Sequence, residues 1–244
     1  MKFDIITIFP DIFNSYLDES ILKRAQKNKL IDVEIHNLRD FTEDKHCKVD
    51  DRPFGGGPGM VLKIEPIIKA VNKLISYKLK SLKNKKLTNL QTYKLKTKII
   101  IFTPGGKQFD NKIAAQMAKN YDQLILICGR YEGIDARLIS VLKTFPPEAG
   151  QPSAEKLKVI ELSIGPYVLT GGELPSMILI DAVSRQISGV LGKEESLEEK
   201  RFGAGLPTYT RPEIFIYKKR KYVVPKVLLS GNHKKIEEWR RKNK

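Results

Sequence analysis

Residues 158–190, KVIELSIGPYVLTGGELPSMILIDAVSRQISGV, contain the clearest pattern of secondary structure in the sequence. The first part has the β-branched and apolar composition of a strand, and a turn that contains three glycines follows. Apolar residues then recur at helical spacing, which predicts a long helix. A strand, a turn and a helix in this order indicate one unit of an α/β fold.

The same order recurs towards the amino terminus. KIIIFTPGG (98–106) and QLILICGRYEG (123–133) each predict a strand that enters a turn, and a helical pattern follows each of them. FDIITIF (3–9) and IDVEIHNL (31–38) predict two further strands. Because strands alternate with helices, we expect a largely parallel sheet with right-handed crossovers.

Three glycine-bearing loops follow the predicted strands: TPGG, CGRYEG and SIGPYVLTGGE. In parallel sheets, ligands bind in the loops beyond the carboxyl ends of the strands. The sequence contains neither the dinucleotide fingerprint nor the Walker phosphate loop. The pattern therefore favours a cofactor that has no phosphate group and is held by several backbone loops. S-adenosylmethionine is such a cofactor.

A fourth glycine-rich segment, DDRPFGGGPGM, occupies residues 50–60. It holds two carboxylates, an arginine, four glycines and two prolines, so it is neither a helix nor a regular strand. A flexible surface loop is the alternative interpretation. The charges lie directly against the glycines, and two well-patterned elements flank the segment, so a functional loop is favoured.

The net charge of +16 is concentrated in two segments. Residues 72–98 carry nine lysines and no acid, residues 218–244 have a net charge of +9, and the other 190 residues come to −2. This asymmetry indicates a polyanion as partner, and nucleic acid fits better than a membrane, since neither segment has a strong apolar face. For residues 72–98 alone, a solvated loop is an equally good interpretation.

The remaining composition excludes several classes of protein. Cys47 and Cys128 make neither a disulfide framework nor a zinc site, and three scattered histidines (His36, His46 and His233) do not predict a metal site. The sequence has no apolar run of membrane-spanning length and no signal-peptide pattern. We expect a cytoplasmic protein.

Five motifs, in order, resemble the bacterial tRNA (guanine(37)-N1)-methyltransferase family, TrmD: DKHCKVDDRPFGGGPGM, CGRYEGID, SIGPYVLTGGELPSMILIDAVSR, GVLG, and YTRPE with the later VLLSGNHKKIEEWR. The resemblance extends from IITIFPDIF to Trp239. It implies a SPOUT-type α/β fold with a mostly parallel sheet and a C-terminal deep trefoil knot, a homodimer, and methyl transfer from S-adenosylmethionine to N1 of guanosine-37 in tRNA. Family members are also associated with Mg²⁺.

The resemblance implies three groups of site residues. The first and second loops supply cofactor contacts at Pro104, Cys128, Gly129, Tyr131, Glu132 and Gly133. The third loop supplies cofactor contacts at Ser163, Ile164, Gly165, Pro166, Tyr167, Val168, Leu169, Gly171 and Gly172. The catalytic arginine falls on Arg185, and the glycine-rich segment brings Asp50, Arg52 and Gly59 to the substrate.

The sequence departs from the family pattern at three places. Pro166 stands where the family usually has Asp, and the linker between Gly192 and Tyr209 is about three residues short, without a clear match to the family's catalytic Asp. Counting from the flanking motifs brackets that acid within residues 197–200, which contain Glu198 and Glu199, and Glu199 is preferred. The alternative is that Lys200 replaces the acid and that Asp50 or Asp51 takes the proton. Third, the given sequence ends at WRRKNK, where the family continues into a helical tRNA-binding domain.

The expected organisation is therefore a methyltransferase domain over residues 1–190, a linker over 191–207 and a truncated tRNA-binding segment with a short helical extension over 208–244. Residues 76–97 form a basic insert in the first domain. A non-catalytic RNA-binding relative that has lost the catalytic acid is the alternative function. Retention of Arg185 and of all the glycine loops favours the enzyme.

Overall fold

The computed structural model describes residues 1–84, 96–144, 157–192, 197 and 205–243. The chain forms two compact units, Met1–Val190 and Leu191–Lys244. Within the described ranges, every helix is too short or too polar to cross a bilayer.

The first unit is built on five parallel strands. They are β1 (Lys2–Thr7), β2 (Asp32–Asn37), β5 (Thr97–Gln108), β6 (Gln123–Ile127) and β7 (Lys158–Ser163), and their order across the sheet is β2-β1-β6-β5-β7. The predicted parallel α/β architecture is confirmed. A two-stranded antiparallel pair, β3 (Asp50–Asp51) with β4 (Val61–Leu62), lies in the glycine-rich segment.

Helices cover both faces of this sheet, because alternate residues of each strand point to opposite sides. Leu124 and Leu126 pack on one side with residues of α2 (Ser20–Lys27), α4 (Asn111–Asn120) and α6 (Glu173–Ser184). Ile125 and Ile127 pack on the other side with residues of α3 (Ile64–Asn84) and α5 (Arg137–Thr144). Strand β6 is buried along its whole length, as expected for the centre of a parallel sheet.

The helical segments that follow β1 and β7 are short. After β1 the chain forms a 3-10 helix at Pro10–Phe13, then α1 (Asn14–Leu17) and then α2, whose first residue, Ser20, has a φ of +49°. Helix α6 ends at Ser184, because the amides of Gln186 and Ile187 donate to the carbonyls three residues before them and tighten the last turn. A second 3-10 helix, Leu38–Phe41, follows β2.

The second unit contains a hairpin and two helices in its described part. Strands β8 (Ile214–Tyr217) and β9 (Arg220–Val223) pair antiparallel, and all eight residues are exposed. Helices α7 (Lys226–Leu229) and α8 (His233–Lys242) follow, and the rings of Tyr209 and Trp239 meet edge to face with centroids 6.2 Å apart. Helix α3 enters the basic insert, whose residues 85–95 lie outside the described residues.

Candidate functional site

A cleft of about 460 Å³ lies at the carboxyl ends of β5, β6 and β7, a volume ordinary for a small-molecule site. Three segments form it: the first loop (residues 103–106), the second loop (128–135) and the third loop (163–172). The predicted cofactor residues in its lining are Pro104, Gly129, Tyr131, Glu132, Gly133, Ser163, Ile164, Gly165, Tyr167, Val168, Leu169, Gly171 and Gly172.

The first loop is an outward arch within strand β5. Phe102 and Lys107 both pair with Leu162 of β7, so the four residues between them leave the sheet and return. A Cβ on Gly106 would lie 2.7 Å from the backbone of Leu162. Glycine at this position therefore lets the arch close onto β7.

The second and third loops cross each other in direct backbone contact. The Gly172 amide donates to the Gly129 carbonyl at 2.9 Å, and Arg130 forms an isolated antiparallel bridge with Gly171. A Cβ on Gly172 would lie 2.6 Å from the Cα of Cys128. The absence of a side chain at Gly172 allows this crossing.

Cys128, a predicted cofactor residue, lies beneath this crossing and outside the described lining of the cleft. Its side chain is buried, its sulfur lies 3.2 Å from the Ser176 hydroxyl, and burial raises the pKa of the thiol. A buried thiol of raised pKa is inert, so the Cys128 side chain serves as part of the core, and a cofactor contact at this residue stays a prediction.

The third loop presents apolar side chains to solvent. Tyr167 and Val168 are 52% and 82% exposed, although both line the cleft. Pro166, at the turn between β7 and these residues, is exposed and does not belong to the described lining. The Ser163 hydroxyl stabilises the start of the loop, because it donates to the Gly165 carbonyl at 2.9 Å.

The glycine hairpin, residues 50–62, packs along the second loop. The Glu132 amide donates to the Met60 carbonyl at 3.0 Å, and the Leu62 amide donates to the Gly133 carbonyl at 3.0 Å. Gly59 lies so close to Glu132 that a Cβ would be 2.6 Å from the carboxylate oxygen. The hairpin is therefore a wall next to the cleft.

Two of the three predicted substrate residues lie beside this contact. Burial and a hydrogen bond to Asp50 raise the pKa of Tyr131, which places the Asp50 carboxylate against a residue that lines the cleft. Gly59 lies against Glu132, which also lines the cleft. Arg52 is exposed, and its amide donates to the Asp51 side chain at 2.9 Å.

The predicted catalytic residues are not brought together by the described structure. Arg185 caps the carboxyl end of α6, where its amide donates to the Asp181 carbonyl at 3.0 Å, and it is outside the described lining of the cleft. Glu198 and Glu199 lie outside the described residues. Their relation to Arg185 stays a prediction.

Several lining residues were not predicted from the sequence, and Arg130 is one of them. Its guanidinium Nε lies 3.1 Å from the Glu173 carboxylate, its Nη1 donates to the Thr170 carbonyl at 3.3 Å, and its Cζ lies 4.6 Å from the centre of the Phe9 ring. The signal available in the sequence was a single arginine within CGRYEG. The other missed residues of the lining include Thr103, Ile134, Asp135, Glu161, Thr170 and Pro175.

The sheet brings together Asp4, Glu34 and His36, a grouping that the scattered histidines did not predict. The Asp4 carboxylate is buried, which raises its pKa, but hydrogen bonds from His36 and Gln123 outweigh this, and its pKa lies below the ordinary value. The Lys2 ammonium lies 2.9 Å from Glu34 and 3.3 Å from Asp4. Because the Lys2 ammonium, His36 and Gln123 already occupy the oxygens of these carboxylates, we interpret this group as a structural polar network.

The fold and the cleft place the chain in a class of parallel α/β proteins that have a cleft between backbone loops at the carboxyl edge of the sheet. The whole sequence, residues 1–244, matches the family described as tRNA (Guanine-1)-methyltransferase TrmD. The chain belongs to this family, so the resemblance seen in its motifs is confirmed.

Curated relatives are similar in sequence over almost the whole chain. A tRNA (guanine-N(1)-)-methyltransferase of Clostridioides difficile (strain 630) is 47% identical over 99% of this chain and 91% of its own length. Proteins of the same name from Dictyoglomus turgidum and Thermomicrobium roseum are 46% and 48% identical over 99% of this chain, and 84% and 78% of their own lengths.

Proposed function

We propose that this protein transfers a methyl group from S-adenosylmethionine to N1 of guanosine-37 in tRNA. The observation that carries this proposal is the cleft, since the arch of β5 and the two crossing loops form it in a member of this family, and the glycine hairpin packs along the second loop. The enzymatic activity follows from the family, and the position of the guanosine follows from the resemblance alone.

The lining of the cleft fits S-adenosylmethionine. Tyr167, Val168 and Leu169 offer an apolar surface for a nucleoside, and the loops offer backbone amides and carbonyls. Glu132 and Glu161 add negative charge to the lining, which suits the sulfonium and ammonium groups of this cofactor. When bound, the cofactor supplies an electrophilic methyl group. The chain has to bind the cofactor and the substrate, orient them towards each other and exclude water.

The chemistry on guanine requires a base, because N1 carries a proton and is a poor nucleophile until that proton leaves. We assign this role to Glu199, with Glu198 as the second candidate. Arg185 pairs in this proposal with O6, where negative charge develops as N1 is deprotonated. The target base must leave its stack to reach the cleft.

The finer fold is part of the same proposal. We infer that residues 163–190 are threaded as a deep trefoil knot, and the crossing of residues 171 and 172 over 129 and 130 supports this inference. Asp4, Glu34 and His36 belong to β1 and β2, whereas the described lining of the cleft comes from β5, β6, β7 and the segments that follow them. We therefore assign no Mg²⁺ site to it.

A homodimer is supported by an exposed apolar face on the first unit. Phe9, Ile12 and Tyr16 are exposed beside Leu174 and Ile178 of α6. The Tyr16 hydroxyl donates to Asp181, and this bond raises the pKa of Tyr16 to about 12. Contiguous exposed apolar residues of this kind mark interaction surfaces.

The tRNA contact is assigned to the basic insert and to residues 208–244, with residues 191–207 as the linker. Phe215, Tyr217 and Tyr222 are exposed on the β8–β9 hairpin, whose turn and second strand carry four consecutive basic residues. Exposed aromatics among cations are suited to nucleic acid, which they bind by stacking and by charge. A place in the cytoplasm agrees with a tRNA substrate.

The direct test is transfer of labelled methyl from S-adenosylmethionine to tRNA transcripts with guanosine or adenosine at position 37. Label should enter the first transcript alone. If the protein bound tRNA but transferred no methyl group to it, the result would indicate the non-catalytic RNA-binding alternative. Methyl transfer to both transcripts would contradict position 37 as the target.

The base is tested by single-turnover methylation with Glu199→Gln, Glu198→Gln and the double variant. The correct single variant should be slower by roughly 10²–10⁴-fold, the usual size of a general-base contribution. Part of the rate should return at higher pH, where guanine loses its proton unaided. A double variant with the wild-type rate would exclude both glutamates.

A further inference from the structure

We propose that Arg130 is a positioning residue that holds the third loop against the second loop and thereby sets the shape of the cofactor cleft. The inference deepens the proposed function and rests on it for the identity of the ligand. The ion pair between Arg130 and Glu173 is named here the loop clasp.

Arg130 reaches both sides of the crossing between the loops. Its backbone belongs to the second loop and bridges Gly171, while its Nη1 donates to the Thr170 carbonyl of the third loop at 3.3 Å. Its side chain is 19% exposed, so the guanidinium is largely shielded from water. A single side chain thus ties the two loops together.

Glu173 fixes the other end of the clasp. It is buried in the first turn of α6, where the helix dipole favours a carboxylate. One oxygen accepts a hydrogen bond from the Thr7 hydroxyl at 2.8 Å, and the other lies 3.1 Å from the Arg130 Nε, outside hydrogen-bond geometry. Since a buried carboxylate needs a compensating charge, Glu173 holds the guanidinium at this place.

The third loop passes directly over the clasp. A Cβ on Gly171 would lie 2.4 Å from the Arg130 Nε and 2.5 Å from the Glu173 carboxylate. Gly171 lines the cleft, whereas Glu173 lies outside its described lining. The clasp is therefore the support under the part of the loop that faces the ligand.

The clasp also contacts the exposed apolar face. The Arg130 Cζ lies 4.6 Å from the Phe9 ring centre, a cation–π distance, and Phe9 is 40% exposed on that face. One side chain consequently touches both the proposed dimer surface and the cofactor cleft. If a second copy of the chain packed against Phe9, the Arg130 guanidinium would have less freedom to move.

The test uses the full chain with Arg130→Met, Glu173→Gln, the double variant and Arg130→Lys. Arg24→Met, on the surface of α2, is the matched control. Two quantities are measured: hydrogen exchange of the Gly172 amide without cofactor, and the calorimetric affinity for S-adenosylmethionine. The double variant carries no unpaired charge, so it keeps the test open if Arg130→Met does not fold.

In the folded double variant we expect the Gly172 amide to exchange about tenfold faster and the cofactor to bind about tenfold more weakly. The exchange rate of the Gly172 amide and the cofactor affinity of Arg130→Lys should both lie between those of the wild type and Arg130→Met, since lysine keeps the charge but loses the planar guanidinium. Arg24→Met should match the wild type in both measurements.

Wild-type exchange at Gly172 in the folded double variant would overturn the inference, and so would wild-type cofactor affinity. If the wild-type chain bound no S-adenosylmethionine, the proposed function would fail, and the exchange measurement would still decide whether the clasp orders the loop.

Discussion

In the glycine hairpin, Gly55, Gly56 and Gly57 have φ values of +86°, +80° and +110°, and a Cβ on any of them would meet no atom within 4 Å. In the third loop, Gly171 and Gly172 have no such φ, yet a Cβ would lie within 2.6 Å of neighbouring atoms. The hairpin needs glycine for its backbone angles, and the third loop needs it for space. Two glycine-rich sequences that look alike therefore tolerate different substitutions.

Gly172→Ala should give the largest effect, because its Cβ would lie 2.6 Å from the backbone of Cys128, which cannot rotate away. Overpacking of this kind costs about 1–3 kcal/mol. We expect a lower free energy of unfolding in urea and weaker binding of S-adenosylmethionine by calorimetry.

Gly105→Ala is the control, since Gly105 lies in the first loop in open space without a positive φ. Its stability should remain close to that of the wild type. Equal stability of Gly172→Ala and Gly105→Ala would break the distinction between the two kinds of glycine.

Gly59→Ala should give an intermediate effect, because Gly59 combines both features. Its φ is +80°, and a Cβ would lie 2.6 Å from the Glu132 side chain, which can move. We expect a loss of about 1–2 kcal/mol, mainly the cost of a left-handed backbone in a residue with a side chain.

Urea unfolding of Gly59→Ala in the wild-type and Glu132→Ala backgrounds separates the two causes. The loss should shrink only slightly when Glu132 is truncated. If it disappears, the crowding dominates, and Gly59 belongs with the third-loop glycines instead.

Gly56→Ala should lower the free energy of unfolding by about 1 kcal/mol, a smaller loss that comes from the backbone angle alone. Since the hairpin lies beside the cleft, we also expect a lower kcat/KM for methylation. Asn adopts left-handed angles more readily than Ala, so Gly56→Asn should recover part of the methylation kcat/KM that Gly56→Ala loses. Identical kcat/KM values for the two variants would show that the hairpin angle at residue 56 does not matter for the reaction.

Tyr131→Phe should have the smallest effect, because the backbone hydrogen bonds between the hairpin and the second loop remain. The raised pKa of Tyr131 means that its contribution is present below about pH 10 and is lost as the pH rises through the raised value. At neutral pH we expect a loss of stability below about 1 kcal/mol, since Tyr131 is half exposed.

The difference between Tyr131→Phe and the wild type should therefore disappear in urea unfolding carried out above the raised pKa. A difference that stays constant across this range would indicate lost packing of the hydroxyl rather than its bond to Asp50.

Much of the site was predictable from the sequence, because residues next to one another along the chain form each loop. The glycine loops after β5, β6 and β7 were expected to meet, since the carboxyl ends of parallel strands lie at one edge of a sheet. Which side of a loop faces the cleft was not predictable. Cys128 and Pro166 lie outside the described lining, and Arg130, which no local pattern marks, lies within it.

Local patterns in the amino-acid sequence are enough to identify the alternating strands and helices, the family and the basic segments, because periodicity, turn residues and charge are local properties. The packing of the folded chain places β1 between β2 and β6, and it thereby brings Asp4 beside His36 and Gln123. It also determines that the apolar residues of β6 are buried while those of β8 are exposed, although both are short apolar strands. Burial depends on what the rest of the chain packs against a strand, and a local pattern does not contain that information.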